Sequence, residues 1–110
     1  MQWFDGTIYE GEWRLDLKHG TGVQSWSNGD VYEGQYAHNF MDGHGNYLYA
    51  DGSKYEGMFF EDHFHGNGTF HESKGAKFVG LWELGLRHGR GILHFSFGGY
   101  WEGLWSDDYL

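Results

Sequence analysis

The sequence predicts an all-β chain: an elongated antiparallel β-meander of stacked hairpins, built as a single-layer twisted sheet. Three observations lead there. First, Tyr9-Glu10-Gly11-Glu12-Trp13 returns as Tyr32-Glu33-Gly34-Gln35-Tyr36, Tyr55-Glu56-Gly57-Met58-Phe59, Phe78-Val79-Gly80-Leu81-Trp82 and Trp101-Glu102-Gly103-Leu104-Trp105. The copies start at 9, 32, 55, 78 and 101, a constant step of 23 residues. Fixed self-similarity at such a period marks a repeat array. Second, in a chain without proline, all of the 20 glycines but Gly85 and Gly99 keep the same phase, Gly6 included. They fall two residues into each copy (Gly11 to Gly103), at the pairs Gly20/Gly22, Gly43/Gly45, Gly66/Gly68 and Gly89/Gly91, and at Gly29, Gly52, Gly75 and Gly98. Flexible linkers hold no phase, so these glycines are structural. Third, aromatic and glycine alternate with Glu in each copy, a period of two that means a half-buried strand. Helix is disfavoured, because glycine costs about 1 kcal/mol at each interior helical position.

Taken in order, strand A of the first repeat covers Ile8 to Arg14, a polar loop follows over Leu15 to His19, and strand B runs from Gly20 to Trp26. Asn28-Gly29 then turns the chain into the next strand A, and Asn-Gly is the strongest short hairpin signal because both turn residues of that type take positive φ. Asp5-Gly6 and Asp51-Gly52 fill the same slot, while Lys74-Gly75 and Phe97-Gly98 keep only the glycine and predict looser turns. The whole chain, 1–110, reads as one domain: a partial repeat 1–8, repeats 9–31, 32–54, 55–77 and 78–100, and a partial repeat 101–110. Strands pack ~4.8 Å apart, so each hairpin adds roughly 10 Å and the array is a rod of roughly 45 Å.

One sheet face gathers Tyr9, Trp13, Tyr32, Tyr36, Tyr55, Phe59, Phe78, Trp82, Trp101 and Trp105 from the A strands, with Trp26, Tyr49 and Phe95 from the B strands and Trp3 before them. Glycines lie between. A ring can lie flat over a neighbouring glycine and seal its backbone. Gly34→Val or Gly57→Val is therefore expected to destabilise by ~1–3 kcal/mol through overpacking.

Composition narrows the function. With 16 acidic and 7 basic side chains, the chain lacks the clustered Lys and Arg that nucleic acid requires. There is no cysteine, which removes disulfides and thiolate metal sites. No segment reads as a signal peptide or approaches the ~18 apolar residues of a membrane span, so the cytosol is the expected compartment. Catalytic signatures are missing: there is no nucleophile elbow, dinucleotide fingerprint or phosphate loop, and the carboxylate pair Asp107-Asp108 sits near a terminus. Asn67-Gly68-Thr69 spells a glycosylation sequon without a secretory route to use it. Eight histidines invite a metal reading, with His63, His65 and His71 nearest to a cluster; His19, His65 and His88 share one repeat phase on separate hairpins, too far apart for one ion. The expectation is no metal and no cofactor.

The motif His-Gly-x-Gly recurs after each aromatic strand, as His19-Gly20-Thr21-Gly22, His65-Gly66-Asn67-Gly68 and His88-Gly89-Arg90-Gly91, with Asp42-Gly43-His44-Gly45 in the second repeat. Together with the aromatic-x-Gly-x-aromatic strands and the Asp-Gly turns, this resembles the MORN repeat over essentially the whole chain. Departures are Phe78-Val79 for Tyr-Glu, Glu72 at a usual ring position, and the Lys74 and Phe97 turns. The resemblance implies a non-catalytic scaffold or adaptor that binds partner segments in an aromatic trough or dimerises, in cytoskeletal settings that include ciliary axonemes and radial spokes. A lipid-binding role is also implied.

The ten A-strand rings are thus candidates both for the fold's own core and for a partner-binding trough, because a solvated single sheet is marginal and a large exposed apolar patch marks an interaction site. An extended or helical protein segment suits such a groove. The column Glu10, Glu33, Glu56 and Glu102 lies on the opposite face, either as a solvated face or as a strip for a basic partner. A membrane tether instead needs Lys54, Lys74, Lys77, Arg87 and Arg90 to converge on one side. The ends read as half-repeats, and a bare edge strand recruits pairing, so the chain either continues or docks an end on a partner or on a second copy as a homodimeric strut.

Overall fold

A computed structural model describes residues 1–108, and of Asp107 and Asp108 the backbone alone. Among the described residues every element is a strand: β1 Ile8–Arg14, β2 Leu17–Ser25, β3 Val31–Ala37, β4 Phe40–Leu48, β5 Lys54–Phe60, β6 His63–His71, β7 Lys77–Glu83, β8 Leu86–His94 and β9 Tyr100–Asp108. They form one open sheet in chain order, each strand antiparallel to the next. The molecule measures 45 × 24 × 18 Å, the length that the strand spacing predicts.

The connections differ from the sequence reading in an instructive way. The polar loop expected over Leu15 to His19 is a two-residue turn, and strand B already starts at Leu17. Leu15 and Asp16 have φ of 51° and 65°, His38 and Asn39 50° and 76°, Glu61 and Asp62 45° and 72°. Two successive positive values define the tight hairpin turn whose twist matches the flanking strands. The Asn28-Gly29 connection is the other kind: only Gly29 is left-handed, at φ 99°. Its N–H donates to Trp26 O at 3.1 Å while Trp26 N–H donates to Asp30 O at 2.9 Å. That is a three-residue loop closed by a left-handed glycine. The same pair of bonds recurs at Trp3–Thr7, Tyr49–Ser53, Glu72–Ala76 and Phe95–Gly99, so the Lys74 and Phe97 turns are not looser. Asp5, Asn28 and Asp51 brace their turns by accepting from the N–H two residues on, and those backbone bonds hold the carboxyls of Asp5 and Asp51 below their ordinary value.

The His-Gly-x-Gly motif is a bulge rather than a loop. Between the pairs Gly11↔Gly22 and Trp13↔Lys18, the residues His19, Gly20 and Thr21 oppose the single residue Glu12, with Gly20 left-handed at φ 67°. The equivalent shift follows Gly34, Gly57 and Gly80 on the side facing their own strand B, whereas β2–β3, β4–β5 and β6–β7 run without one. A bulge bends its strand and increases the local twist. Repeated once per hairpin, it curls the sheet about the ring face.

The glycines pair with one another across the sheet: Gly11↔Gly22↔Gly34↔Gly45↔Gly57↔Gly68↔Gly80↔Gly91↔Gly103, an unbroken spine over all nine described strands. Over this bare backbone lie Tyr9, Tyr32, Tyr55 and Phe78, all almost wholly excluded from solvent. A Cβ added to Gly68 would stand 2.5 Å from Tyr55 Cε1, well inside ordinary contact distance, so only glycine admits the ring. Tyr9, Tyr32 and Tyr55 each pass over the strand and donate from Oη to the carbonyl three residues on, Glu12, Gln35 and Met58, at 2.8 Å. Phe78 has no hydroxyl to do so. Phe78→Tyr is therefore expected to raise stability by about 0.5–1 kcal/mol, the net value of one hydrogen bond, visible as a higher melting temperature. A lower one would mean that the fourth repeat does not share the socket of the first three.

Candidate functional site

All ten predicted rings come together. Edge-to-face contacts link them in one zigzag: Trp13–Tyr9–Tyr36–Tyr32–Phe59–Tyr55–Trp82–Phe78–Trp105–Trp101, with centroids 4.9–5.6 Å apart and planes at 79–90°. Each such pair adds about 0.5–1.5 kcal/mol beyond its area. The first ring of each repeat sits over the glycine spine, and the second wedges between it and the first ring of the neighbouring repeat.

Burial sorts the ten. Tyr9, Tyr32, Tyr36, Tyr55, Phe59, Phe78 and Trp82 form the core, none more than 4% exposed. Trp105 is half-buried, and Trp13 and Trp101, at the two ends, are exposed. What faces solvent along the middle of the trough is a second row from the B strands. Trp26, Tyr47, Tyr49 and Phe70 are half-buried and touch in sequence, at centroid distances of 5.3, 4.7 and 5.8 Å. Phe64 stacks on Tyr55 at 3.9 Å and 6°. Sequence reasoning named Trp26 and Tyr49 but missed Tyr47, Phe64 and Phe70. Their signal was present as two further 23-residue columns, Gln24/Tyr47/Phe70/Leu93 and Lys18/Met41/Phe64/Arg87. The register confirms the first: Tyr32 pairs with Tyr47, Tyr55 with Phe70 and Phe78 with Leu93. Phe95, in the same phase as Trp26 and Tyr49, is exposed and stacks on Phe97.

Polar groups at the trough are few and mostly satisfied. Gln24, buried, accepts at Oε1 from Tyr36 Oη and Lys18 Nζ, both at 2.9 Å. Trp82 Nε1 donates to Gly68 O at 3.2 Å and Tyr47 Oη to Asp30 Oδ2 at 2.8 Å. Burial raises the pKa of Tyr9, Tyr32, Tyr36, Tyr47 and Tyr55, and pushes Tyr49 up to about 12. These hydroxyls are neutral hydrogen-bonding groups, not acids or bases for catalysis near neutral pH. Among the described residues no three His, Asp or Glu side chains are placed to hold a metal ion. The pair Asp107-Asp108 lies outside the described side chains.

On the other face Glu10, Glu33 and Glu102 are exposed, while Glu56 bonds Lys54 Nζ at 2.8 Å and lies 3.4 Å from His71 Nε2; the Lys54 bond holds its carboxyl below the ordinary value. The five cations needed for a membrane tether do not converge. Lys54 and Lys77 share this face in one cross-strand row with His71 and His94, but the Arg87 guanidinium lies on the ring face, 4.1 Å from the Trp105 centroid.

A meander of hairpins locked by rings over a glycine spine defines a β-repeat protein whose one aromatic face is partly open. The MORN repeat family model matches residues 9–31, 32–54, 55–76 and 78–100, and the chain belongs to the MORN repeat family. A search of curated proteins returns no match. The family is a non-catalytic repeat family, and its repeats mediate protein or membrane interactions. No helix among the described residues is long and apolar enough to cross a membrane.

Proposed function

We propose that this chain is a non-catalytic scaffold that holds a segment of a partner protein along its aromatic trough, within a cytoskeletal assembly of the axonemal or radial-spoke kind. The supporting observation is the row Trp26–Tyr47–Tyr49–Phe70: contiguous rings, half open, with no second layer over them among the described residues. The zigzag from Trp13 to Trp101 is the floor that keeps this row rigid, and rigid aromatic anchors bind at low entropic cost. The cytoskeletal setting rests on the resemblance of the repeats alone.

Truncating Tyr36 or Phe59 would cut the core and report on folding, since both are nearly inaccessible. The informative variant is Trp26→Ala/Tyr49→Ala. It is expected to keep the wild-type fold by circular dichroism and to lose the partner that co-purifies with the wild-type chain from its native cell. Equal recovery by both proteins would remove the trough as the binding site.

A further inference from the structure

The ring face already holds two cations of its own chain. Lys18 Nζ lies 5.2, 5.7 and 5.6 Å from the ring centroids of Trp3, Tyr9 and Tyr36. Arg87 Cζ lies 4.1 Å from Trp105 and 5.5 Å from Phe78. Both are within the range at which a ring quadrupole attracts a cation. Lys18 and Arg87 occupy the same repeat position, and the two hairpins between them carry Met41 and Phe64 there. The lattice of rings continues through the middle, where, among the described residues, the cation–ring contacts of Lys18 and Arg87 have no lysine or arginine counterpart.

A notch of about 250 Å³ opens at that point, lined by Tyr47, Tyr49, Phe59 and Phe64, by Met41 and Asp62, and by His63 and Gly85. The turn tip at this notch differs in charge from the tip one repeat earlier. Asn39 Oδ1 accepts from Lys18 N–H at 3.4 Å, and Asn39 N–H donates to Lys18 O at 3.1 Å. One repeat later Asp62 Oδ1 accepts from Met41 N–H at 2.7 Å, and Asp62 N–H donates to Met41 O at 3.0 Å. The bonding is the same and the charge is not. Lys18 bonds a neutral tip residue and Met41 a carboxylate, whose charge reaches as far as Lys18; in the same phase Phe64 goes with Gly85 and Arg87 with Asp108.

We propose that this notch takes a cationic side chain, arginine or lysine, from the partner segment, seated on the half-open rings of Tyr47, Tyr49 and Phe64 and ion-paired to Asp62. The proposal rests on the trough reading and specifies its partner as a basic segment. Charge complementarity favours it, since the chain carries a formal net charge of −9 and an opposite charge is attracted from a distance. A bound cation inside an aromatic box with one carboxylate gains both the ring attraction and a charge-assisted hydrogen bond.

The test is selection of random displayed peptides on the immobilised full chain, followed by affinity measurement on the selected peptides. Binders enriched in Arg or Lys are expected. Asp62→Asn should weaken them about tenfold, the scale of one partly desolvated cation contact, and should leave the fold intact, because Asn39 makes the same backbone bonds one repeat earlier. Met41→Lys, which installs an internal ammonium as Lys18 does, should abolish binding. If Met41→Lys fails to fold, the Asp62→Asn comparison decides alone. Peptides lost in Trp26→Ala/Tyr49→Ala yet unaffected by Asp62→Asn would overturn the cation notch and leave the trough reading standing. Binders without a cation would do the same. No binder of any kind would overturn both.

Discussion

Gly68→Ala is expected to lower the melting temperature by roughly 10–20 °C, a loss of about 2–4 kcal/mol in a domain of this size. The added methyl would stand 2.5 Å from Tyr55 Cε1, and the ring has nowhere to go. Phe64 stacks on it at 3.9 Å, Phe59 and Trp82 press on it edge-on, and its hydroxyl is fixed on Met58 O. Accommodating the methyl means moving Tyr55, which breaks four contacts and opens the zigzag at its centre. Gly98 makes the contrast: no atom lies within 4 Å of a Cβ there, and its φ is 97°. Gly98→Ala should cost only the roughly 1–2 kcal/mol of a left-handed non-glycine residue. If the two substitutions cost the same, close approach of rings is not what fixes the spine glycines.

The second large effect is alkaline unfolding. Burial keeps the hydroxyls of Tyr32, Tyr36 and Tyr55 protonated far above the ordinary tyrosine value of 10.0. The unfolded chain releases those protons near pH 10. Stability from these neutral tyrosines is therefore complete below pH 10 and is lost as pH rises above it. Each group contributes about 1.4 kcal/mol per pH unit, so three together remove about 4 kcal/mol per unit. A domain of about 5 kcal/mol stability should unfold cooperatively between about pH 11 and 12. Tyrosinate absorbance and the β-sheet circular dichroism signal are expected to change together. Smooth ionisation centred near pH 10 with the sheet intact would show that these hydroxyls are open to water.

Much of this was legible because a repeat states its geometry several times. The constant spacing located five A strands, and the alternation within Tyr9 to Trp13 placed ten rings on one face, where they form a single lattice. The B strands were read less well. Treating Leu15 to His19 as a loop cut three residues from the start of each strand B and hid the column Lys18/Met41/Phe64/Arg87. The tight turns were hard to see because Leu15 and Glu61 are not residues that favour left-handed backbone. Part of what holds them there is non-local: Asn39 and Asp62 bond back to Lys18 and Met41 in the preceding repeat. Those bonds offset a local cost that propensity registers and the neighbouring repeat relieves. The Asn28-Gly29 turn was placed correctly and typed wrongly, since a dipeptide does not reveal whether one residue or two carry positive φ. At the site, sequence gave the ring stripe but not its partition. Which ring is sealed and which is open depends on how far the sheet curls, and that follows from the bulges.

The most direct test is a double-mutant cycle between Gly68 and Tyr55. If the ring is what excludes a methyl group, Gly68→Ala should cost about 2–4 kcal/mol in the wild type and less than about 1 kcal/mol in a Tyr55→Leu background, a coupling of at least ~1 kcal/mol. Additive costs, within about 0.5 kcal/mol, would show that glycine and ring act independently and would contradict the account of how this sheet holds together.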